Sequence, residues 1–245
     1  MGFFLLLLVL WEAVSRFGPW PRALFPDPFG VAESFARMVQ DGRLSAATIK
    51  SLGRLAEGYG ISVLLGVPLG LGIARARWLQ LGLKPIISGL QALPSICWLP
   101  LAILWFGLTD AAIIFVVVMG SLLSIVISTE DGVRSIQPQL LQVAGTLGIH
   151  GPRLFLGVLI PAALPSITTG LKLGWSFAWR ALMAGELLFV AGGLGQLLTT
   201  GRELMDVAQV MAVMVAIVII GVVADRLLFQ SVELRVRRRW GLVGV

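Results

Sequence analysis

The chain has 245 residues, of which 57% are hydrophobic and 13% charged, with a formal net charge of +6 and a mean hydropathy of +0.92. A soluble domain of this length has no use for so much apolar surface, so the composition excludes one and points to an integral membrane protein. A single cysteine, Cys97, and a single histidine, His150, exclude a disulfide framework, a cysteine metal site and a multi-histidine metal site within one chain.

Most of the hydrophobic runs approach the roughly 20 residues that cross a hydrocarbon layer about 30 Å thick, and none shows the short alternation of a membrane β-barrel. They predict an all-α bundle of six transmembrane helices. The first run, residues 1–15, lacks the basic start and small-residue cleavage site of a secretory signal and reads as an additional N-terminal helix. Pro19, Pro21, Pro26 and Pro28 then rule out a continuous helix and predict an extended crossing of one membrane face. Residues 31–40 are amphipathic, with Val31, Phe35, Met38 and Val39 on one side, which predicts a helix lying on the membrane surface.

A second span covers residues 46–74. It starts polar, with Lys50, Arg54 and Glu57, and carries Gly66 and Gly70 four apart, a spacing that lets two helix backbones approach closely in lipid. A short basic loop with Arg75, Arg77 and Lys84 follows. The third run, 85–106, contains Pro94 and Pro100, each of which kinks or breaks a helix. Broken backbone at membrane depth must be sheltered by protein or face a watery cavity. The turn 107–110 leads to a fourth span over 111–128.

Residues 142–165 form a partly polar, glycine- and proline-punctuated stretch between hydrophobic runs. Pro138 opens a helix over 139–147 that Gly148 ends, Gly151 and Pro152 mark a turn, and a second short helix leads to Pro161 and Pro165. This pair is predicted to lie outside the bilayer. The fifth span, 166–190, holds Lys172, Arg180 and Glu186, and a glycine loop with the polar turn 201–206 leads to the sixth, 207–229. Six spans place both termini on one side. Arg235, Arg237, Arg238 and Arg239 make that side cytoplasmic, set against anionic headgroups rather than nucleic acid.

Charges inside a membrane are costly and mark function by default. Arg180 falls near the middle of the fifth span beside Trp175 and Trp179. Two readings stand: it supplies positive charge to an anionic substrate in a passage, or it forms a structural ion pair with Glu186, Asp110 or Glu57. Trp98 and Trp105 flank the proline-broken run and either line the passage or serve as packing. Lys172 lies near one end of its span, where it can snorkel.

The stretch Gln142-Val143-Ala144, three residues, Gly148, nine residues, then Val158-Leu159-Ile160-Pro161 resembles the cytoplasmic E-A-A…G…I-x-L-P loop of type I ABC importer permease subunits. Gln142 stands where the family has an acidic residue, and Val143 replaces its first alanine. The stretches FPDPFGV, LPSICWLPLAILWFGL, GVRSIQPQLLQVAGTLG and IPAALPSITTGLKLGWSFAW resemble the nitrate/sulfonate/taurine/bicarbonate branch. The resemblance implies a single permease domain over 1–245 with a MetI-like five-helix core at 46–230 and a coupling loop at 134–165. It implies that Gln142, Val143, Ala144, Gly145, Gly148 and Pro161 couple to an ATPase, small residues allowing close docking while Gly148 and Pro161 fix the bends. It further implies a pore made by two copies of the chain in the bacterial inner membrane, two cytosolic ATPase subunits that hold the ATP and magnesium, and a periplasmic binding protein that delivers a small anionic solute. No phosphate-binding GxxxxGK[ST] loop occurs in the chain, so ATP hydrolysis is expected on a separate subunit. A gradient-driven secondary transporter or channel is the alternative; it would suit broken helices but calls for an inverted repeat that the sequence lacks.

Overall fold

The structure, a computed structural model, describes residues 2–21, 23–188, 192–230 and 236. The C-terminal arginines 235 and 237–239 lie outside the described residues. Every regular element among the described residues is helical. In chain order they are α1 (Gly2–Phe17), α2 (Pro28–Gln40), α3 (Arg43–Arg75), α4 (Arg77–Gln91), a 3₁₀ turn (Ser95–Trp98), α5 (Leu99–Phe106), α6 (Asp110–Arg134) and α7 (Pro138–Thr146). There follow α8 (Gly151–Leu188), α9 (Leu194–Glu203) and α10 (Val207–Asp225), the last running into a π-helical turn at Arg226–Gln230.

Four of these helices, α3, α6, α8 and the Val207–Phe229 stretch, are long and apolar enough to cross a membrane. The third hydrophobic run is not a straight span: α4 and α5 meet at 103° across the break that Pro94 makes. Helix α1 has 16 residues, about 24 Å at 1.5 Å per residue. Several boundaries differ from the sequence reading. Arg75, Arg77 and Lys84 sit on helices rather than in a basic loop, since only Ala76 is non-helical there. Helix α6 continues past residue 128 to Arg134. The glycine loop and polar turn before the last span contain a ten-residue helix, α9. On α2 the buried positions are Val31, Ser34 and Met38, whereas Val39 is 51% exposed; a three-then-four step follows the helix period more closely than adjacent positions can.

Contacts divide the chain into two compact units, residues 1–54 with 183–222 and residues 55–182 with 223–245. In the first, the proline-rich stretch folds back on α1: Trp11 Nε1 donates to the Pro26 carbonyl and Ser15 Oγ to that of Phe25, both at 3.0 Å. Asp27 then caps α2 by accepting from the Gly30 amide at 3.0 Å, with Pro28 preorganised at the first helical position.

In the second unit α6 is central. Ala112, Ile113, Val116, Val117, Ser121 and Ile125 are fully buried. Small residues on both neighbouring helices make this possible. Along α3, Gly58 lies against Val117, Gly66 against Ile125 and Gly70 against Thr129, while Ser62 Oγ accepts from Ser121 Oγ at 2.7 Å. Along α8, Gly170 meets Ser128 and Gly174 meets Ile125. Packing rather than hydrophobicity drives helix association in lipid, and small residues every fourth position provide the necessary approach. A Cβ on Gly70 would stand 2.6 Å from the Val126 carbonyl oxygen. Gly70→Leu is therefore expected to cost about 1–3 kcal/mol by overpacking, visible as a lower thermal midpoint in detergent. Gly82→Leu, with nothing within 4 Å of its Cβ, should not lower it.

Candidate functional site: a docking helix and a polar cleft

Helix α7 begins four residues after α6 ends. Pro138 occupies its first turn, and at its C-terminus Gly148 adopts φ +69°, a left-handed backbone that costs a non-glycine residue about 1–2 kcal/mol. The Ile149 amide donates to the Ala144 carbonyl at 2.9 Å and that of Gly148 to the Gly145 carbonyl at 3.0 Å, closing the helix end. An apolar cluster of Leu71, Val133, Ile136, Leu159, Ala163 and Ile167 anchors the base of this segment.

The structure distributes the coupling residues differently from the docking surface expected of them. Ala144 is 3% exposed and faces its own chain. Gln142, Gly145 and Gly148 are exposed. Beside Leu141, at 39%, the exposed apolar side chains are Leu140, Val143 and Leu147, at 43%, 54% and 70%. These three stand at i, i+3 and i+7, one face of a helical turn. Pro161 does not end a helix: the chain runs as one helix from Gly151 to Leu188. The preceding π-helical turn, Phe155–Leu159, sits where a proline interrupts the regular hydrogen-bond ladder.

Just before α7, Glu130 is 2% exposed and held between two cations. Lys84 Nζ on α4 reaches its Oε2 at 2.5 Å, and Arg134 Nη1 reaches Oε1 at 3.3 Å. Seven residues after Lys84, α4 ends at Gln91, where the broken run opens a cleft of about 330 Å³ lined by Gln91, Pro94, Ser95, Ser124, Phe177 and Arg180 among others.

Of Arg180, Trp175, Trp179, Glu186, Trp98 and Trp105, taken as candidates for a substrate path, only Arg180 lines this cleft. It is exposed, its Nε donates to the Ser176 carbonyl at 3.2 Å, and its guanidinium carbon lies 4.8 Å from the Phe177 ring centroid. Arg180 forms none of the three ion pairs offered for it among the described residues, and Glu186, 1% exposed, pairs instead with Arg54 Nη1 at 2.8 Å. Trp175 is buried edge-on to Tyr59, with centroids 5.3 Å apart, and Trp179 is half-buried. Trp98 and Trp105 pack around Phe115 at 6.4 and 5.6 Å. Lys172 reaches Asp225 Oδ2 at 3.7 Å.

Glu186 organises the first unit. Ser51 Oγ lies 2.8 Å from both of its oxygens, and the Gly195 amide donates to Oε2 at 3.0 Å. Arg54 Nη1 also donates to the Gly192 carbonyl at 2.6 Å. The carboxylate thus caps the start of α9 from another helix, where negative charge is favoured. Sequence reasoning missed this role. Its signal was a buried acid six residues before a double glycine, together with Ser51 and Arg54 in the polar start of α3.

Helices long and apolar enough to cross a membrane, one apolar run broken at Pro94 and a short helix with an exposed apolar face define, among the described residues, a membrane-embedded helical subunit. The chain belongs to the family described as "binding-protein-dependent transport system inner membrane component", which it matches over residues 65–239. It is 32% identical to the putative aliphatic sulfonates transport permease protein SsuC of Escherichia coli, across 89% of this chain and 83% of that one. It is also 32% identical to the riboflavin transport system permease protein RibX of Chloroflexus aurantiacus, across 88% and 81%. A chain in an inward-facing structure of the MetNI methionine ABC transporter shares the fold, with a TM-score of 0.64 at 18% identity over 76% of this chain and 92% of that one. The protein is accordingly an ABC importer permease subunit of the inner membrane, a transport component rather than an enzyme.

Proposed function

We propose that this subunit pairs with a second copy to form the passage of an ATP-driven importer for a small anionic solute. Two cytosolic ATPase subunits dock on α7, a periplasmic binding protein delivers the solute, and both termini lie in the cytoplasm. The observation that carries the coupling reading is the apolar face of Leu140, Val143 and Leu147, exposed on a helix whose base is anchored in the core. A soluble helix face of this kind, rimmed by polar groups, marks a protein contact. Gln142 offers that partner an amide instead of a charge.

The anionic reading rests on Arg180, a cation in a polar cleft at a helix break, about 12 Å from the end of α8 at 1.5 Å per residue. The sulfonate named for one relative agrees with it; the riboflavin named for another is the competing substrate class. Reconstitution decides: the purified chain should bring down an ATPase subunit and, with its binding protein, drive ATP-dependent uptake into proteoliposomes. Arg180→Gln should lower uptake of an anion at least tenfold, equivalent to about 1.4 kcal/mol, without lowering the thermal midpoint. Unchanged uptake in that variant overturns the role of Arg180, and a chain that never retains an ATPase overturns the coupling reading.

A further inference from the structure

Three elements converge on the cleft beside Arg180, and together they describe the ligand more narrowly than a single charge can. Gly120 lets them meet. A Cβ there would stand 2.8 Å from that of Ala181 on α8 and 3.4 Å from that of Ser95 at the helix break. The polar groups around the cleft are unspent. The terminal nitrogens of Arg180 make no hydrogen bond or ion pair among the described residues, since its contacts are through Nε and the Phe177 ring. Gln91 Nε2 and Ser124 Oγ are 3.5 Å apart, at the outer limit of a hydrogen bond. Ser95 adds a hydroxyl. Among the described residues Arg180 is the one cation in the lining, and none of them there is a carboxylate. The remaining wall is apolar, with Leu93, Met119 and Leu123.

We propose that this cleft is a transit subsite for a monoanionic oxyanion head carried on a short aliphatic stem, with Gln91 and Ser124 as specificity-determining partners of Arg180. The proposal rests on the reading of the chain as a permease for small anions and names the chemistry of that anion. One guanidinium balances one negative charge. Donors arriving from α4, α6 and α8 suit a head whose oxygens diverge, as in a sulfonate. The apolar wall takes the stem, which an inorganic anion such as nitrate lacks. Phe177 beneath the guanidinium holds the fork in place, so less freedom is lost when the head arrives.

The test uses the permease–ATPase complex in nanodiscs, without the binding protein, titrated with nitrate, methanesulfonate and butanesulfonate at matched ionic strength. At ten times its Kd, butanesulfonate should raise the thermal midpoint by about 3–5 °C. Affinity should fall from butanesulfonate to methanesulfonate to nitrate. Arg180→Gln should abolish binding of all three. Gln91→Leu should weaken both sulfonates about tenfold, and Met119→Ala should shrink the preference for the longer stem. Equal shifts for all three anions, or a butanesulfonate shift that survives Arg180→Gln, overturn the subsite. Retention of the ATPase and ATP-driven uptake report separately on the importer reading, which can hold while the subsite fails.

Discussion

Glu186→Ala is expected to be strongly destabilising, costing about 3–5 kcal/mol because it removes the carboxylate paired with a buried cation. Arg54 is 4% exposed. Without the carboxylate its guanidinium keeps the Gly192 carbonyl, the Gly195 amide loses its acceptor, and the Ser51 hydroxyl, which still accepts from the Leu194 amide, has no carboxylate to donate to. The expected result is a large drop in thermal midpoint and poor recovery from the membrane. Glu186→Gln keeps the shape but not the charge, and its amide nitrogen points a donor at either Arg54 or Gly195, so it should fall between the wild type and the alanine variant.

A double-mutant cycle separates this from simple cavity formation. Replacing both partners, Arg54→Met with Glu186→Leu, removes the two charges together, and paired apolar replacement of buried ions is often close to neutral. The double variant should therefore be more stable than Glu186→Leu or Arg54→Met alone, leaving a coupling energy well above the few tenths expected of independent sites. If the single and double losses simply add, the pair is not the organising contact of this unit. Gly195 offers a second check. A Cβ there would come within 2.4 Å of that of Glu186, so Gly195→Ala should destabilise through the same cluster.

How legible this was differs between the two halves of the problem. Hydropathy and proline placement revealed the long helices, the break at Pro94 and the short helix ended by Gly148, because each rests on local backbone chemistry. The partner of Glu186 was not legible, since Ser51 and Arg54 lie 135 and 132 residues away and charge alone made Arg180 an equal candidate. Helix α9 was hidden for the same reason: its start is capped by a carboxylate from another helix, so its own sequence shows glycines where a capping side chain would be sought. Ala144 illustrates a third limit. A family pattern marks a position as small, but only burial tells whether the small side chain meets the partner or the chain's own core. Lys84, placed in a loop by its charge, proved to hold Glu130 from a helix, because a basic residue at the end of a span reads the same in either setting.

Val143→Asp combined with Leu147→Asp is expected to uncouple the transporter while leaving the permease itself intact. Both side chains are more than half exposed, so the free subunit loses no core contact and its thermal midpoint should be unchanged. At a docking interface each buried apolar anchor is worth about 2 kcal/mol or more, and two charges facing an apolar groove add a desolvation cost. The ATPase should therefore fail to copurify, and ATP-driven uptake should fall at least a hundredfold. Ala144→Leu makes the contrast: at 3% exposure the added volume presses into the chain's own packing, so the midpoint should drop together with the coupling. Gly148→Leu tests the turn. Its Cβ would meet nothing within 4 Å, yet φ +69° penalises any side chain, so its effect should come from reorienting α7 and exceed that of Gly145→Leu, which has equal space and ordinary helical φ. ATPase binding that survives the double aspartate variant would move the docking surface off this face. Loss of binding at an unchanged midpoint ties ATP-driven movement to two apolar side chains, Val143 and Leu147, that the fold itself leaves uncovered.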